Sequence, residues 1–189
     1  MEIVRGVYDR RQQEKMHMAL NASNSSLGLL WLVGVSTGYR VSDLLSTRPY
    51  DVKTGVLNIT EAKTGKKRAM KLPPRVVDAI LAHIDASDLD DHGHFLFYGR
   101  EKTAAITRQH AHRVFKAVGA ELGLDAIGTH SMRKTYAYNV LLATKSFPDV
   151  QKSLNHEYLS TTIFYLIDGL TELLPSPGRN GIPPSQKYV

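Results

Sequence analysis

Six side chains that could act together on a phosphodiester follow one another along the chain, five of them cationic or protonatable and the last a phenol. They are Arg40, Lys63, His130, Arg133, His156 and Tyr165. A phenol can attack phosphorus, and cations can stabilise the negative charge that builds on the phosphoryl oxygens during the attack. The set is therefore suited to breaking and rejoining a phosphodiester without a metal ion.

A short basic pair lies in the segment THSMRKT, where His130 and Arg133 are three residues apart. This spacing predicts that both side chains lie on one face of a helix. Thr129 is a candidate N-cap, so we expect both residues in the first turn, where free amides and the helix dipole favour phosphate. Taken alone, the pair is more often an ordinary surface feature than a site.

Arg40 follows a long apolar segment and a Thr-Gly turn, and Asp43 stands three residues further on. One interpretation is a local ion pair between Arg40 and Asp43. The other is that the guanidinium grips two phosphate oxygens. Asp43 would then orient a neighbouring catalytic side chain without touching the phosphate itself.

The segment EAKTGKKR brings together several cations around a Gly-containing turn. Most charged hairpin turns are merely solvated, but a flexible lysine can also deliver a proton to a leaving oxygen once DNA is bound. We choose Lys63 as this general acid. Its neighbours Lys66, Lys67 and Arg68 are predicted to bind DNA.

Composition favours a single domain that binds a polyanion. The chain has 189 residues, 42% of them hydrophobic, and a formal net charge of +6. It contains no cysteine, which excludes disulfides and Cys-ligated metal sites. The N-terminus is too polar for a signal peptide, and the longest apolar stretch, residues 27–35, is too short to span a bilayer. A soluble, cytoplasmic protein is expected.

Hydrophobic periodicity predicts a mainly α protein with a small antiparallel β-sheet on one side. The segment that follows Asn24 is apolar almost throughout, which indicates a buried central helix ending near Gly38. Helices are predicted at 9–23, 25–38, 41–45, 74–85, 107–124, 129–143, 148–155 and 159–167. Strands are predicted at 56–60 and 68–72, with a short aromatic strand at 94–99.

Together these motifs resemble the tyrosine recombinase family, also called phage integrases, in the family's own chain order. TGYRVSDLL is similar to the first box of the family, T-G-x-R-x-x-E/D-L. KTGKKRAMKLPP is similar to its lysine hairpin, and the stretch from HSMRKT to SLNHEYLSTTIFY is similar to its second box. The resemblance covers roughly residues 10–167. It implies the fold of the tyrosine recombinase catalytic domain.

The resemblance also implies a mechanism and a set of roles. Tyr165 would attack the scissile phosphate to form a 3′-phosphotyrosine, Lys63 would protonate the leaving 5′ oxygen, and His130 would assist proton transfer near the tyrosine. Three residues would stabilise the pentacoordinate phosphorus: Arg40, Arg133 and His156. No cofactor and no metal is implied. The implied partners are double-stranded DNA, further copies of the chain in a tetramer on DNA, and accessory DNA-bending proteins in some systems.

The chain departs from the family pattern at a few positions. Asn155 stands where glycine is usual, and asparagine tolerates a left-handed backbone better than other side chains do. Asp43 replaces the commoner glutamate, and Lys134 follows Arg133 where histidine is frequent. Three further cations are predicted to bind DNA: Arg108, Arg113 and Lys134.

The sequence predicts one catalytic DNA breaking-rejoining domain at 1–170 and a C-terminal tail at 171–189 that is flexible or docks in trans. No N-terminal core-binding domain is seen, so a catalytic fragment or a compact single-domain member of bacterial, phage or mobile-element origin is expected. A type IB topoisomerase is an alternative, because it uses the same chemistry. A non-catalytic DNA-binding regulator is a second alternative, and an RNA-binding protein has no support beyond charge.

Overall fold

The computed structural model describes residues 4–52, 54–63 and 65–173. This part of the chain is mostly helical and contains one two-stranded antiparallel sheet, which confirms the predicted fold class. The helices are α1 (Arg10–Ser23), α2 (Ser25–Thr37), α3 (Val41–Leu45), α4 (Pro74–Ala86), α5 (Arg108–Glu121), α6 (Thr129–Thr144), α7 (Phe147–Leu154) and α8 (Leu159–Leu173). The strands are β1 (Val56–Thr60) and β2 (Lys67–Lys71).

Helix α2 lies at the centre of the fold because its residues are apolar on almost every side, and it packs against α1, α4 and α6. The Asn24 side chain caps its first turn by accepting a hydrogen bond from the Leu27 amide at 3.2 Å. Gly34 faces α6, where a Cβ atom would collide with the side chain of Met132. The missing side chain therefore sets how closely α2 and α6 approach.

A second apolar cluster joins the last three helices. It consists of Ala137, Tyr138, Leu141, Val150, Leu154 and Leu166. Tyr8, from the segment before α1, packs on this cluster with its ring centroid 4.7 Å from that of Tyr138. The N-terminal segment and α8 therefore cover the same apolar surface of α6 and α7.

The sheet is a hairpin whose two strands pair from Val56 with Lys71 to Thr60 with Lys67. Its turn closes through hydrogen bonds from the Glu61 amide to the Lys66 carbonyl at 3.0 Å and from the Gly65 amide to the Glu61 carbonyl at 2.8 Å. Gly65 has a φ of +67°, a conformation that favours glycine. The second strand begins and ends one residue earlier than predicted.

The predicted aromatic strand at 94–99 is wrong, because the segment makes only an isolated bridge between Tyr98 and Ala105. Its backbone hydrogen bonds go to separate partners: the Leu96 amide donates to the Thr47 carbonyl, and the Phe97 carbonyl accepts from the Ile106 amide. Leu96 and Phe97 are both fully buried. Consecutive buried residues suit a segment covered on both sides, and they give apolar content without a strand ladder.

Helix α8 is longer than predicted and ends at Leu173 rather than near residue 167. The first three residues of the predicted C-terminal tail, 171–173, therefore continue the helix. The rest of that tail lies outside the described residues. Within the described ranges, no helix is both long enough and apolar enough to cross a membrane.

Candidate active site

Arg40 lies at the turn from α2 into α3, where Gly38 ends α2 with a left-handed φ of 64°. Its Nη1 donates to Oε2 of Glu61 at 2.9 Å. The Glu61 side chain is only 1% exposed, whereas that of Arg40 is 22% exposed. A buried carboxylate at the end of β1 thus fixes the guanidinium while the arginine remains accessible from solvent. The sequence analysis did not single out Glu61.

Asp43 is buried in α3, and its hydrogen-bond partner is the lysine hairpin and not Arg40. Its Oδ1 accepts a hydrogen bond from the backbone amide of Ala62 at 3.0 Å. Ala62 directly precedes Lys63, so this bond fixes the backbone at the start of the turn that carries the lysine. The alternative of a local Arg40–Asp43 ion pair is wrong, because Arg40 pairs with Glu61 instead.

Arg133 is buried in α6 and bonds to two backbone segments, each of which leads to another candidate residue. Its Nη1 donates to the carbonyl of Gly38, and its Nη2 donates to the carbonyl of Leu154 at 2.7 Å. These carbonyls stand two residues before Arg40 and two residues before His156. Arg133 therefore brings the first and second boxes of the sequence together.

The start of α6 differs in one respect from the prediction. Gly128 is the N-cap residue, and Thr129 is the first residue of the helix rather than its cap. The Gly128 amide instead donates to the Ser131 hydroxyl at 3.0 Å. His130 consequently lies in the first turn, whereas Arg133 lies in the second.

His156 and Tyr165 contact each other across the turn between α7 and α8. Asn155 adopts the left-handed conformation, with φ 54° and ψ 41°, as its place in the motif predicted. Nδ1 of His156 lies 3.0 Å from the hydroxyl of Thr162. The imidazole meets the Tyr165 ring edge-on, at a centroid distance of 5.5 Å and an angle of 81°.

The phenol oxygen of Tyr165 is buried and has no well-formed hydrogen bond to any described residue. Burial raises the pKa of this phenol to about 12, and the nearby charges of Arg133 and Arg40 act in the opposite direction. The guanidinium of Arg133 is thus close enough to influence the phenol without being aligned as its donor. The hydroxyl therefore lies within the electrostatic influence of both arginines.

A carboxylate three residues beyond the tyrosine fixes α8 to the rest of the fold. Asp168 accepts a hydrogen bond from the Tyr8 hydroxyl at 2.7 Å and pairs with Nζ of Lys134 at 2.9 Å. The same Lys134 ammonium lies 5.5 Å from the centroid of the Tyr165 ring. Lys134, predicted to bind DNA, is therefore largely enclosed by protein contacts that hold the helix bearing Tyr165.

The remaining cations differ in their surroundings. His130 is exposed at the start of α6, and partial desolvation, followed by the charges of Arg108 and Arg133, lowers its pKa from the ordinary value. Arg108 and Arg113 are both exposed on α5. The positive charge of Arg108 contributes to the lowered pKa of His130, whereas Nη2 of Arg113 lies 3.0 Å from Nδ1 of His110.

The lysine hairpin divides into an exposed part and an inward-facing part. Lys63, Lys66 and Lys67 are exposed on and beside the turn. Arg68 points the other way, and its Nη2 lies within hydrogen-bonding reach of the Thr37 carbonyl at 3.2 Å. Its prediction as a DNA-binding residue is not supported by this orientation.

The electrostatics of the site combine two guanidinium groups with a neutral imidazole. Burial, followed by the charges of Arg133 and Arg40, lowers the pKa of His156 to about 4, and Glu61 opposes this shift. Burial also lowers the pKa of Arg133 to about 10, so the guanidinium still carries its charge at neutral pH. Across the described ranges, no group of three or more His, Asp or Glu side chains is arranged to hold a metal ion.

The family model of the phage integrase family matches residues 9–168 of this chain. The chain belongs to the phage integrase family. The match extends from the first residues of α1 past Tyr165 and contains every catalytic residue that the sequence predicted. The predicted family membership is confirmed.

Curated phage integrase relatives include a probable integrase/recombinase, YoeC, from Bacillus subtilis. The two chains are 29% identical over 167 residues, which is 88% of this chain and 91% of YoeC. The tyrosine recombinase XerA from Pyrococcus furiosus is 26% identical over 139 residues, which is 72% of this chain and 48% of XerA. The chain thus spans most of YoeC but about half of XerA.

Solved structures share the fold of this phage integrase chain. The crystal structure of XerA recombinase superposes with a TM-score of 0.72 and 21% identity, covering 92% of this chain and 67% of that one. A lambda integrase tetramer bound to a Holliday junction gives a TM-score of 0.68 and 20% identity, covering 87% of this chain and 49% of that one. At this level of identity the likeness is one of fold.

Five of the six predicted catalytic residues lie close enough for their charges or rings to act on one another, and the sixth is on the neighbouring turn. The five are Arg40, His130, Arg133, His156 and Tyr165. Lys63 is exposed two residues from Glu61, which contacts Arg40. Sequence reasoning missed the residues that support this group: Tyr8, Glu61, Thr162 and Asp168. Tyr8, Glu61 and Asp168 bond to distant parts of the chain, which no local spacing indicates, whereas Thr162 contacts His156 only six residues away.

Proposed function

We propose that this chain is a site-specific DNA recombinase that breaks and rejoins strands through a 3′-phosphotyrosine at Tyr165. The observation that carries this proposal is the position of the Tyr165 hydroxyl. It is buried, it has no well-formed hydrogen bond among the described residues, and the charges of Arg133 and Arg40 both act on it. In the proposed reaction, a phosphate placed beside Tyr165 would meet the nucleophile and the two cations together.

In the cleavage step the phenol oxygen of Tyr165 forms a bond to phosphorus as the bond from phosphorus to the 5′ oxygen breaks. The phenol proton must leave, because a hydroxyl with a pKa of about 12 is almost entirely protonated at neutral pH. His130 is the proposed acceptor, since its lowered pKa keeps the imidazole neutral near pH 7. Lys63 gives a proton to the 5′ oxygen, which departs as a hydroxyl.

Charge that develops on the phosphoryl oxygens is stabilised by fixed donors. Arg40 is oriented by Glu61, and its side chain remains 22% exposed. His156 contributes a neutral N–H: when the Thr162 hydroxyl donates to Nδ1, the proton stays on Nε2, which can donate to a phosphoryl oxygen. Losing one such donor typically costs about 3–4 kcal/mol in the barrier.

Rejoining reverses these steps. The 5′ hydroxyl of a partner strand attacks the phosphotyrosine, the bond to Tyr165 breaks, and the phenol recovers its proton. Because the intermediate keeps the energy of the phosphodiester, no nucleotide cofactor is required. Lambda integrase has been seen as a tetramer on a Holliday junction, and we propose that four copies of this chain act on two duplexes in the same way.

The decisive experiment is covalent trapping with a pool of short nicked duplexes of random sequence. After cleavage, the short fragment beyond the nick diffuses away, so the phosphotyrosine persists as a protein–DNA adduct on a denaturing gel. Sequencing the trapped DNA identifies the preferred site, and mass spectrometry of the digested adduct locates the modified residue. The proposal expects the adduct on Tyr165. Binding without any adduct would instead support a non-catalytic regulator.

Recombination and relaxation are then separated with plasmids that carry the recovered sequence. A recombinase needs two copies of the site and yields rearranged DNA. A topoisomerase relaxes supercoils in a plasmid that lacks the site. Relaxation that is independent of sequence, with no rearranged product, would overturn the proposal of site-specific recombination.

A further inference from the structure

Arg68 is attached to the protein at both its side chain and its backbone. Its guanidinium lies over the ring of Tyr39, 4.3 Å from the centroid, and the hydroxyl of Tyr39 donates to the Arg68 carbonyl at 2.9 Å. Nη2 of Arg68 also reaches the carbonyl oxygens of Thr37 and Ser153. Strand β2 is thereby joined to the ends of α2 and α7.

Arg68 and Arg133 span the same gap side by side. Arg133 joins the carbonyls of Gly38 and Leu154, and Arg68 joins the carbonyls of the residues just before them. The two arginines come from different elements, β2 and α6. They connect the C-terminal ends of α2 and α7. The first of these leads directly to Arg40 and the second to His156.

We propose that Arg68 is a positioning residue that couples the seating of the lysine hairpin to the spacing between Arg40 and His156. The inference rests on the proposed function, in which those residues and Lys63 act on one phosphate. When the hairpin is seated, Arg68 closes the gap beside Arg133. If the hairpin moves away, the hydrogen bonds of Arg68 are lost, and Arg133 alone connects the ends of α2 and α7.

The surroundings of Arg68 argue against a direct phosphate contact. Its Nη1 is buried and has no hydrogen-bond partner among the described residues, and its Nη2 is engaged by two carbonyls. Arg133 is bonded to two carbonyls in the same way, but its charge also acts on the phenol of Tyr165, which makes it the guanidinium assigned to the phosphate. Lys67, the preceding residue, is exposed and provides the matched comparison for a phosphate-binding side chain.

The test compares Arg68→Met, Arg68→Lys and Lys67→Met on the nicked duplex recovered from the random pool. We expect Arg68→Met to slow single-turnover cleavage at saturating DNA by about 10²-fold, the usual effect of a small misplacement in an active site. The dependence of DNA affinity on salt should stay as in the wild type. Arg68→Lys should be almost as slow, because an ammonium cannot reproduce the planar fork that spans two carbonyls.

A duplex with a 5′-bridging phosphorothiolate distinguishes an effect on Lys63 from an effect on the spacing between Arg40 and His156. Its sulfur leaving group needs no proton, so it should restore most of the rate lost in Lys63→Ala. It should restore only part of the rate lost in Arg68→Met, because the spacing of Arg40 and His156 is also disturbed. Full restoration in Arg68→Met would overturn the coupling and leave an effect on the hairpin alone.

Two other outcomes would also overturn the proposal. A salt slope reduced by about 0.9, with an unchanged saturated rate, would make Arg68 a phosphate contact. A lower melting temperature with an unchanged saturated rate, measured well below melting, would make its role one of stability only. If the wild-type protein forms no adduct with any duplex in the pool, the proposed function fails, and it does so before any variant is compared.

Discussion

The imidazole of His156 stands edge-on to the ring of Tyr165, with ring centroids 5.5 Å apart. Burial drives the pKa values of the two groups in opposite directions, to about 4 for the imidazole and about 12 for the phenol. Both groups are therefore neutral across the physiological range in the DNA-free protein. The positive charge beside these two groups comes from Arg133 and Arg40, and the raised pKa keeps the Tyr165 phenol protonated.

Replacing Tyr165 by phenylalanine should abolish the covalent adduct and leave DNA binding nearly unchanged. The variant should also be at least as stable as the wild type, because the lost hydroxyl is buried without a well-formed hydrogen bond. Trapping on the nicked duplex and thermal unfolding measure the two effects. Tyr158→Phe is the matched control, since Tyr158 is 62% exposed on the adjoining turn. Adduct formation by Tyr165→Phe would exclude this residue as the nucleophile.

The free energy of unfolding should decrease as the pH falls from about 6.5 towards 4. In this window the unfolded chain binds a proton at His156 that the folded protein does not, because the folded pKa is about 4. Each such proton gives a slope of about 1.4 kcal/mol per pH unit. The full contribution is present above pH 6.5.

Urea titrations of the DNA-free protein across this range provide the measurement. His156→Gln should reduce the slope, with some dependence remaining because the pKa values of His83 and His130 are also lowered. An identical slope in His156→Gln and the wild type would contradict the prediction.

Removing the Lys63 ammonium should slow cleavage by about 10²–10⁴-fold, the usual range for a general acid. Lys63→Ala should recover most of this loss on the 5′-bridging phosphorothiolate. Single-turnover rates on the oxygen and sulfur substrates give the comparison, and Lys67→Ala is the control on the same hairpin. Rescue of Lys67→Ala but not of Lys63→Ala would show that the wrong lysine was chosen.

Loss of the Glu61 carboxylate should lower both stability and activity. Breaking a buried ion pair typically costs about 3–5 kcal/mol, and we expect the lower end of this range because the Arg40 side chain keeps 22% exposure. Glu61→Gln retains an acceptor for Arg40 and should cost less than Glu61→Ala. Thermal unfolding and single-turnover cleavage measure the effects, with the exposed Glu121→Ala as control. Equal stability of Glu61→Ala and the wild type would argue against a structural role for the pair.

Cleavage should continue in excess EDTA. In the proposed mechanism, Arg40 and Arg133 would provide the positive charge that the transition state needs, and Arg133 keeps its charge because its pKa stays near 10. The measurement is the rate of adduct formation with Mg²⁺ and with chelator. A strict requirement for a divalent cation in the cleavage step would contradict the mechanism proposed for these residues.

The parts of the fold that sequence predicted well are those in which local chemistry determines the backbone. Helix α2 begins after Asn24 and ends at Gly38, because an N-cap side chain and a left-handed glycine act within one turn. Asn155 adopts the conformation predicted for it for the same reason. Family membership was also predicted correctly, since the match to the family depends on residue types along the chain.

The predictions that were wrong or absent concern contacts between distant segments. The aromatic run at 94–99 looked like a strand, yet its hydrogen bonds go to several separate partners. The orientation of Arg68 was absent from the sequence prediction, which grouped it with its lysine neighbours, whereas its guanidinium faces the ends of α2 and α7. Charge and spacing do not reveal which way a side chain points on a hairpin.

The hydrogen bonds of Asp168 to Tyr8 and Lys134 place the tyrosine beside arginines of its own chain. In an assembly of several copies, each copy would thus carry a complete set of reacting groups. Two inactive variants, Tyr165→Phe and Arg133→Ala, should consequently fail to complement each other when they are mixed. Each cleaved strand would then show that the subunit bound to it carried the complete set of reacting groups.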